Sequence, residues 1–134
     1  SAWAAPSMEF SMARPAHALA NPLTAVHGIV HGQAVATMLP HVVRFNAPAC
    51  SERYAELLAD VGGEAPPAAA GERLAAWLCE LVAAARLKPS LAALGITAPD
   101  VPALAGAAAA QWTGGFNPRP VTAAELAGLY EAAR

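Results

Sequence analysis

All four histidines of the chain fall between His17 and His41, in the stretch HALANPLTAVHGIVHGQAVATMLPHVVRFN. No other part of the sequence gathers side chains that hold metals or move protons, so the chemistry is read from here first. In one uninterrupted helix His17 and His31 would lie about 21 Å apart at the helical rise of about 1.5 Å per residue. They could not then share an ion whose bonds to imidazole are about 2.0–2.1 Å. Gly28 changes that, because a glycine tolerates the left-handed conformation that ends helices. A turn there would let the two rings meet where one helix stops and the next begins. Two imidazoles make only half a catalytic metal site, which takes three or four protein ligands.

The other arrangements are weaker. His27 and His31 stand four apart in HGIVH, but the glutamate of HExxH is absent, which removes the general base of metalloprotease chemistry. A stop at Gly28 also separates this pair and leaves His27 in the last turn of a helix, where the dipole favours a cation. His41 lies ten residues past His31 on a different face and reads as structural. Ser7, Ser11 and Ser51 sit in no nucleophile elbow, and nothing in the sequence partners Cys50 or Cys79 with a histidine. No GxGxxG or phosphate-binding loop is present; Gly114–Gly115 precedes NPRP and reads as a turn.

The elements that must position these residues are helical throughout, with no sustained period-two alternation. Pro6 and Pro15 are expected to divide the first stretch into pieces at about 7–14 and 16–27. The chain is expected to begin inside an element, with Trp3, Met8, Phe10 and Met12 near one another on a helix surface. A second helix runs from about Gly32 to Phe45, bent near Pro40 and ended by Asn46–Pro48. Ser51 caps a third, whose stripe is Tyr54, Leu57, Leu58 and Val61 and whose stop is Gly62. Residues 63–70 read as a linker. Leu74, Trp77, Leu78, Leu81 and Val82 form the clearest amphipathic face, ended by Arg86, Lys88 and Pro89. A turn or two follows at 90–94, then an alanine-rich helix over 100–112. Thr122 and Glu125 form a capping box for a last helix with Leu126, Leu129 and Tyr130 inward. The expected fold is all-α, a bundle of five to seven helices in a single domain spanning 1–134.

Composition bounds the rest. The chain has 134 residues, of which 56% are hydrophobic and 13% charged, with a net charge of −2. So little charge for so much apolar side chain suggests that another domain or a second copy covers part of the surface, and a homo-oligomer is expected. With one lysine and scattered arginines there is no basic patch, which argues against nucleic acid. No apolar run reaches the 18–20 residues of a membrane span. No basic region precedes the apolar N-terminus, so no signal peptide is expected, and two cysteines do not make a disulfide framework. A cytoplasmic setting fits best.

The histidine stretch resembles the second signature region of the iron-containing (group III) alcohol dehydrogenases, H-x-x-x-[HN]-P-L-x(7)-H-G followed by LLPHV-x-R-x-N. Similarity extends through SERYAELLADVG, SLAALGI, DVPALAGAAA and FNPRPVTAAELAGLYEAA, nearly the whole chain. The resemblance implies a helical metal-binding domain that follows a dinucleotide-binding domain. It implies Fe2+ or Zn2+ held by one aspartate and three histidines, the last two matching His17 and His31, with the other ligands and all NAD(P)-binding residues upstream of Ser1. Many members carry a further histidine in the substrate pocket where this chain has Asn21, one helical turn after His17; Asn21 could point there as a hydrogen-bonding group but cannot relay a proton as imidazole does. His27 would be a neighbour of that pocket. The function implied is alcohol and aldehyde oxidoreduction in a full-length NAD(P)-dependent enzyme, with this chain inactive alone. The alternative is a non-catalytic helical module that acts by self-association or by binding a partner or ligand.

Overall fold

The computed structural model describes residues 14–112 and 122–134. They form five α-helices: α1 (Arg14–His27), α2 (His31–Asp60), α3 (Pro67–Ala84), α4 (Val101–Trp112) and α5 (Ala123–Ala133). Short 3-10 turns at Ala92–Leu94 and Ala98–Asp100 lie between α3 and α4, and there is no strand among the described residues. The fold is all-α, as the sequence implies. The expectations for Pro6, Trp3, Met8, Phe10, Met12 and Gly114–Gly115 lie outside the described residues.

Several boundaries differ from the sequence reading, each for a local reason. α1 begins at Arg14, near the expected 16, with Pro15 in its first turn, where a missing N–H has no intrahelical acceptor; the expected piece at 7–14 lies almost wholly outside the described residues. Pro22 sits inside α1. α2 is two helices joined by a kink at Cys50, whose angles are non-helical (φ −124°, ψ 17°), so the second part starts at Ser51 as expected while the first runs past the expected stop at Asn46–Pro48. Val43, Asn46, Cys50 and Tyr54 are buried along it, and Val43, Cys50 and Tyr54 meet Ala70, Leu74 and Ala75 of α3. The linker is shorter than the expected 63–70, since α3 begins at Pro67, a residue pre-set for a first helical turn.

Two apolar clusters organise these helices. The larger joins Leu19 and Leu23 of α1, Met38 and Val42 of α2, Leu91 and Ile96 of the connection between α3 and α4, Leu104 of α4, and Leu126 and Tyr130 of α5. The smaller is the interface of α2 with α3. Because α3 packs chiefly on α2, its buried face is narrow. Leu81, expected to point inward, is therefore 46% exposed, and Trp77 and Leu78 are only half-buried. The expected capping box of α5 is present: Glu125 N–H donates to Thr122 Oγ1 at 3.1 Å, and the Glu125 carboxylate accepts from Thr122 N–H at 3.2 Å. Leu126, Leu129 and Tyr130 are buried.

The connection from α3 to α4 is held by side chains of α2. Gln33 grips the Lys88 residue from both sides, its Oε1 accepting from Lys88 N–H at 2.9 Å and its Nε2 donating to Lys88 O at 2.9 Å. Thr37 Oγ1 donates to the same carbonyl at 3.0 Å. Leu91 N–H then donates to Ala133 O at 2.7 Å, tying the connection to the end of α5.

Two positions on α3 yield opposite predictions. A Cβ built at Gly71 overlaps the Cβ of Ala47 on α2. Alanine would gain about 1 kcal/mol of helix propensity there, but overpacking costs typically 1–3 kcal/mol, so Gly71→Ala should lower stability in chemical denaturation. Arg86 ends α3 with φ 59°, its N–H donating to Ala83 O while Leu87 N–H donates to Val82 O. This is the pattern that glycine usually closes. Arg86→Gly should raise the unfolding free energy by about 1 kcal/mol, the penalty of a side chain in the left-handed region.

Candidate functional site

The site is built by the end of α1. Gly28 adopts φ 68°, and its N–H donates to Thr24 O at 3.1 Å, the simple left-handed helix cap. Ile29 N–H donates to Leu23 O at 3.3 Å, and the Ile29 side chain is buried. Residues 28–30 are thus folded back along the last turn of α1. Val30 is extended (φ −54°, ψ 131°), and α2 begins at His31.

The consequence is that His17 and His31 meet. Their Nδ1 and Nε2 atoms are 2.7 Å apart, a hydrogen bond in which one ring donates and the other accepts. The rings stack with centroids 4.7 Å apart and planes 19° from parallel. His17 is exposed and His31 half-buried. Beneath them the buried Tyr130 hydroxyl donates to Leu19 O at 2.6 Å, fixing α1 two residues past His17 from the far end of the chain.

Two nitrogens bound to one tetrahedral ion, with bonds of about 2.0–2.1 Å, lie roughly 3.3–3.4 Å apart. The pair at 2.7 Å would therefore open by about 0.6–0.7 Å to admit a metal. Imidazole nitrogen suits zinc and iron alike. The donor set fits half of such a centre: among the described residues no group of three or more His, Cys, Asp or Glu side chains could hold an ion.

Asn21 lies on the same face of α1 as His17 and is exposed. His27 does not join the pair; it is the exposed last residue of α1, ten residues and about 15 Å of helix from His17. Asp100 has its carboxyl held below the usual range first by hydrogen bonds from Thr97 and, more weakly, by the charge of His27. His41 is half-buried on α2, its pKa lowered by burial and then by the Arg44 guanidinium. Cys50 is buried and its thiol pushed up by desolvation, while Cys79 is exposed, and both are free. The roles of Gln33, Thr37 and the Tyr130 hydroxyl had no sequence signal, because each bonds a backbone group distant in the chain.

An all-helical domain that presents two convergent imidazoles at a helix turn defines the class. The family model described as "Fe-containing alcohol dehydrogenase family, C-terminal" matches residues 1–134. The chain belongs to that family and corresponds to its C-terminal part. Lactaldehyde reductase of Escherichia coli (strain K12) is 34% identical over 120 residues, covering 87% of this chain and 31% of the relative. The 1,3-propanediol dehydrogenase of Klebsiella pneumoniae is 31% identical over 121 residues, covering 87% and 31%. A crystal structure of 1,3-propanediol oxidoreductase superposes with a TM-score of 0.79 at 30% identity, over 90% of this chain and 32% of that one. An alcohol dehydrogenase from Oenococcus oeni shares the fold with a TM-score of 0.83 at 24% identity, over 89% and 32%. The chain spans about a third of the length of these relatives.

The pKa of His41 sets a pH dependence. In the unfolded chain it takes a proton near its ordinary value of about 6.5, whereas in the fold it resists one. The unfolded state then binds more protons, so stability is lost as pH falls below about 6.5. In His41→Gln the decline in melting temperature from pH 7.5 to 5.5 should be shallower than in the wild type, by thermal denaturation monitored through circular dichroism.

Proposed function

We propose that this chain is the metal-binding helical part of an NAD(P)-dependent oxidoreductase of alcohols and aldehydes, in which His17 and His31 are two of the metal ligands. The observation that carries the reading is the convergence of the two imidazole nitrogens at 2.7 Å on the surface of the domain. The family membership and the names of the relatives agree with it. Fe2+ or Zn2+ held there would supply a Lewis acid for the oxygen of an alcohol or carbonyl. His17, in the first turn of α1, and His31, the first residue of α2, would hold and orient it. Asn21, on the same face as His17, would offer an amide to substrate and no proton relay. Hydride transfer also needs a nicotinamide positioned beside the substrate. The upstream dinucleotide-binding part of the relatives would provide that, and the 134-residue chain alone is inactive in this reading.

A second reading, a non-catalytic module that associates with itself or with a partner, is favoured by one feature. The turn that makes the site leaves Val26 and Val30 exposed at 68% and 75%. Beside it lies an apolar cleft of about 580 Å³ lined by Ile29, Val30, Gly32, Gln33, Leu87 and Leu94.

The test of the first reading is metal affinity. Titrated anaerobically with ferrous iron or zinc, the wild-type chain should bind weakly through its two imidazoles, and the His17→Ala/His31→Ala double variant more weakly by at least tenfold. Equal affinity in the double variant would overturn the assignment. The wild-type chain should show no alcohol-dependent reduction of NAD+ or NADP+.

A further inference from the structure

We propose that Gln33 is a positioning residue for His31: its amide, anchored on the Lys88 backbone, holds the first turn of α2 closed and so keeps the His31 ring against His17. The inference rests on the reading of the pair as metal ligands and goes beyond it by naming the residue that keeps the pair formed. His31 opens a helix whose first turn has little support of its own. Val30, the residue before it, makes no side-chain hydrogen bond to the free N–H groups of that turn. No acidic residue stands in the turn to meet the helix dipole. Gly32, its second residue, adds the backbone freedom of glycine. A turn built this way frays unless something outside it supplies the missing restraint.

Gln33 is the third residue of the turn, the place from which a glutamine commonly reaches back to the residue before the helix. Here its amide reaches across the chain instead. Its Oε1 accepts from Lys88 N–H at 2.9 Å, and its Nε2 donates to Lys88 O at 2.9 Å and to Thr37 Oγ1 at 2.8 Å. The backbone it grips is fixed on both sides. Leu87 N–H donates to Val82 O at the end of α3, and the buried Leu91 donates its N–H to Ala133 O at the end of α5. Gln33 and His31 share one helical turn, so a restraint on the first holds the backbone that carries the second. The amide thus does from outside the helix what a capping side chain at position 30 would do from its end.

The experiment compares the wild-type chain with Gln33→Met, which keeps the length of the side chain and loses its bonds to Lys88. Thr37 retains its own bond to Lys88 O, so the connection stays docked. Ala34 N–H donates to Val30 O at 3.0 Å and reports on closure of the turn. In Gln33→Met its hydrogen exchange, read by NMR, should quicken by about tenfold or more, the scale of two lost hydrogen bonds. Zinc affinity of the metal-free chain, by calorimetry, should fall about threefold or more, since only chains with a closed turn offer both rings. Adding Val30→Ser, whose hydroxyl can accept from the N–H of residue 33, should restore both. Gly71→Ala, which disturbs the distant contact of α3 with Ala47, should change neither. Unchanged zinc affinity in Gln33→Met would overturn the role, whatever the exchange rate. A loss that Val30→Ser does not repair would also overturn it, because Gln33 would then serve the fold at large. Equal zinc affinity in the wild type and the His17→Ala/His31→Ala double variant would overturn the metal reading of the pair, and this role with it.

Discussion

The structure depends on one backbone conformation, the left-handed Gly28 that ends α1. A side chain at φ 68° is strained by about 1–2 kcal/mol, and glycine avoids that while freeing the chain to reverse at once. The reversal is locked by Gly28 N–H on Thr24 O and by burial of Ile29 in the larger apolar cluster. It replaces a helical separation of about 21 Å by a direct contact between His17 and His31. Without the reversal the same four histidines would be scattered along a rod.

The remainder of the larger cluster makes that turn rigid. α4 packs against α1, α5 packs against α4 and α2, and Tyr130 of α5 reaches the Leu19 carbonyl. Leu19 O lies one turn before Leu23, whose N–H is its helical partner, so it serves two donors. Pro22 nearby has no N–H to give to Ala18 O. Extra support from Tyr130 thus falls on the segment of α1 that its own proline weakens. On the other side, Gln33 and Thr37 bind the Lys88 backbone and fix the first turns of α2. Both histidines therefore stand on helix ends held by contacts from elsewhere in the chain.

How much of this was legible in the sequence follows from the range of each interaction. Gly28, Gly62 and the Thr122–Glu125 box act within a few residues and could be read directly. The apolar stripe of α5 could also be read, because all its large members face the same cluster. The break between the two parts of α2 was legible to within a few residues, at Cys50 instead of Asn46–Pro48, and its place depends on how Val43, Cys50 and Tyr54 meet α3. Leu81 was misread because the helical period finds a stripe but not how many neighbours cover it. The meeting of His17 and His31 could be argued from Gly28 as a geometric opening. The distance, the stacking and the bond from Tyr130 needed the three-dimensional packing.

The division of the interior into two clusters has a dynamic consequence. α2 passes through both, with its first turns in the histidine-bearing core and its later turns paired with α3. Cys50, its one non-helical residue, lies within the part paired with α3. The α2–α3 pairing is close, with small residues such as Ala70, Gly71 and Ala75 against Ala47 and Tyr54. Its apolar cluster is separate from the histidine-bearing one, so α3 is expected to open as a unit of its own while that core stays folded. Amides of α3 would then exchange with solvent through a local opening, and those of α1 and α5 only through global unfolding. Substitutions in the α2–α3 pairing would weaken the protein without moving the two imidazoles.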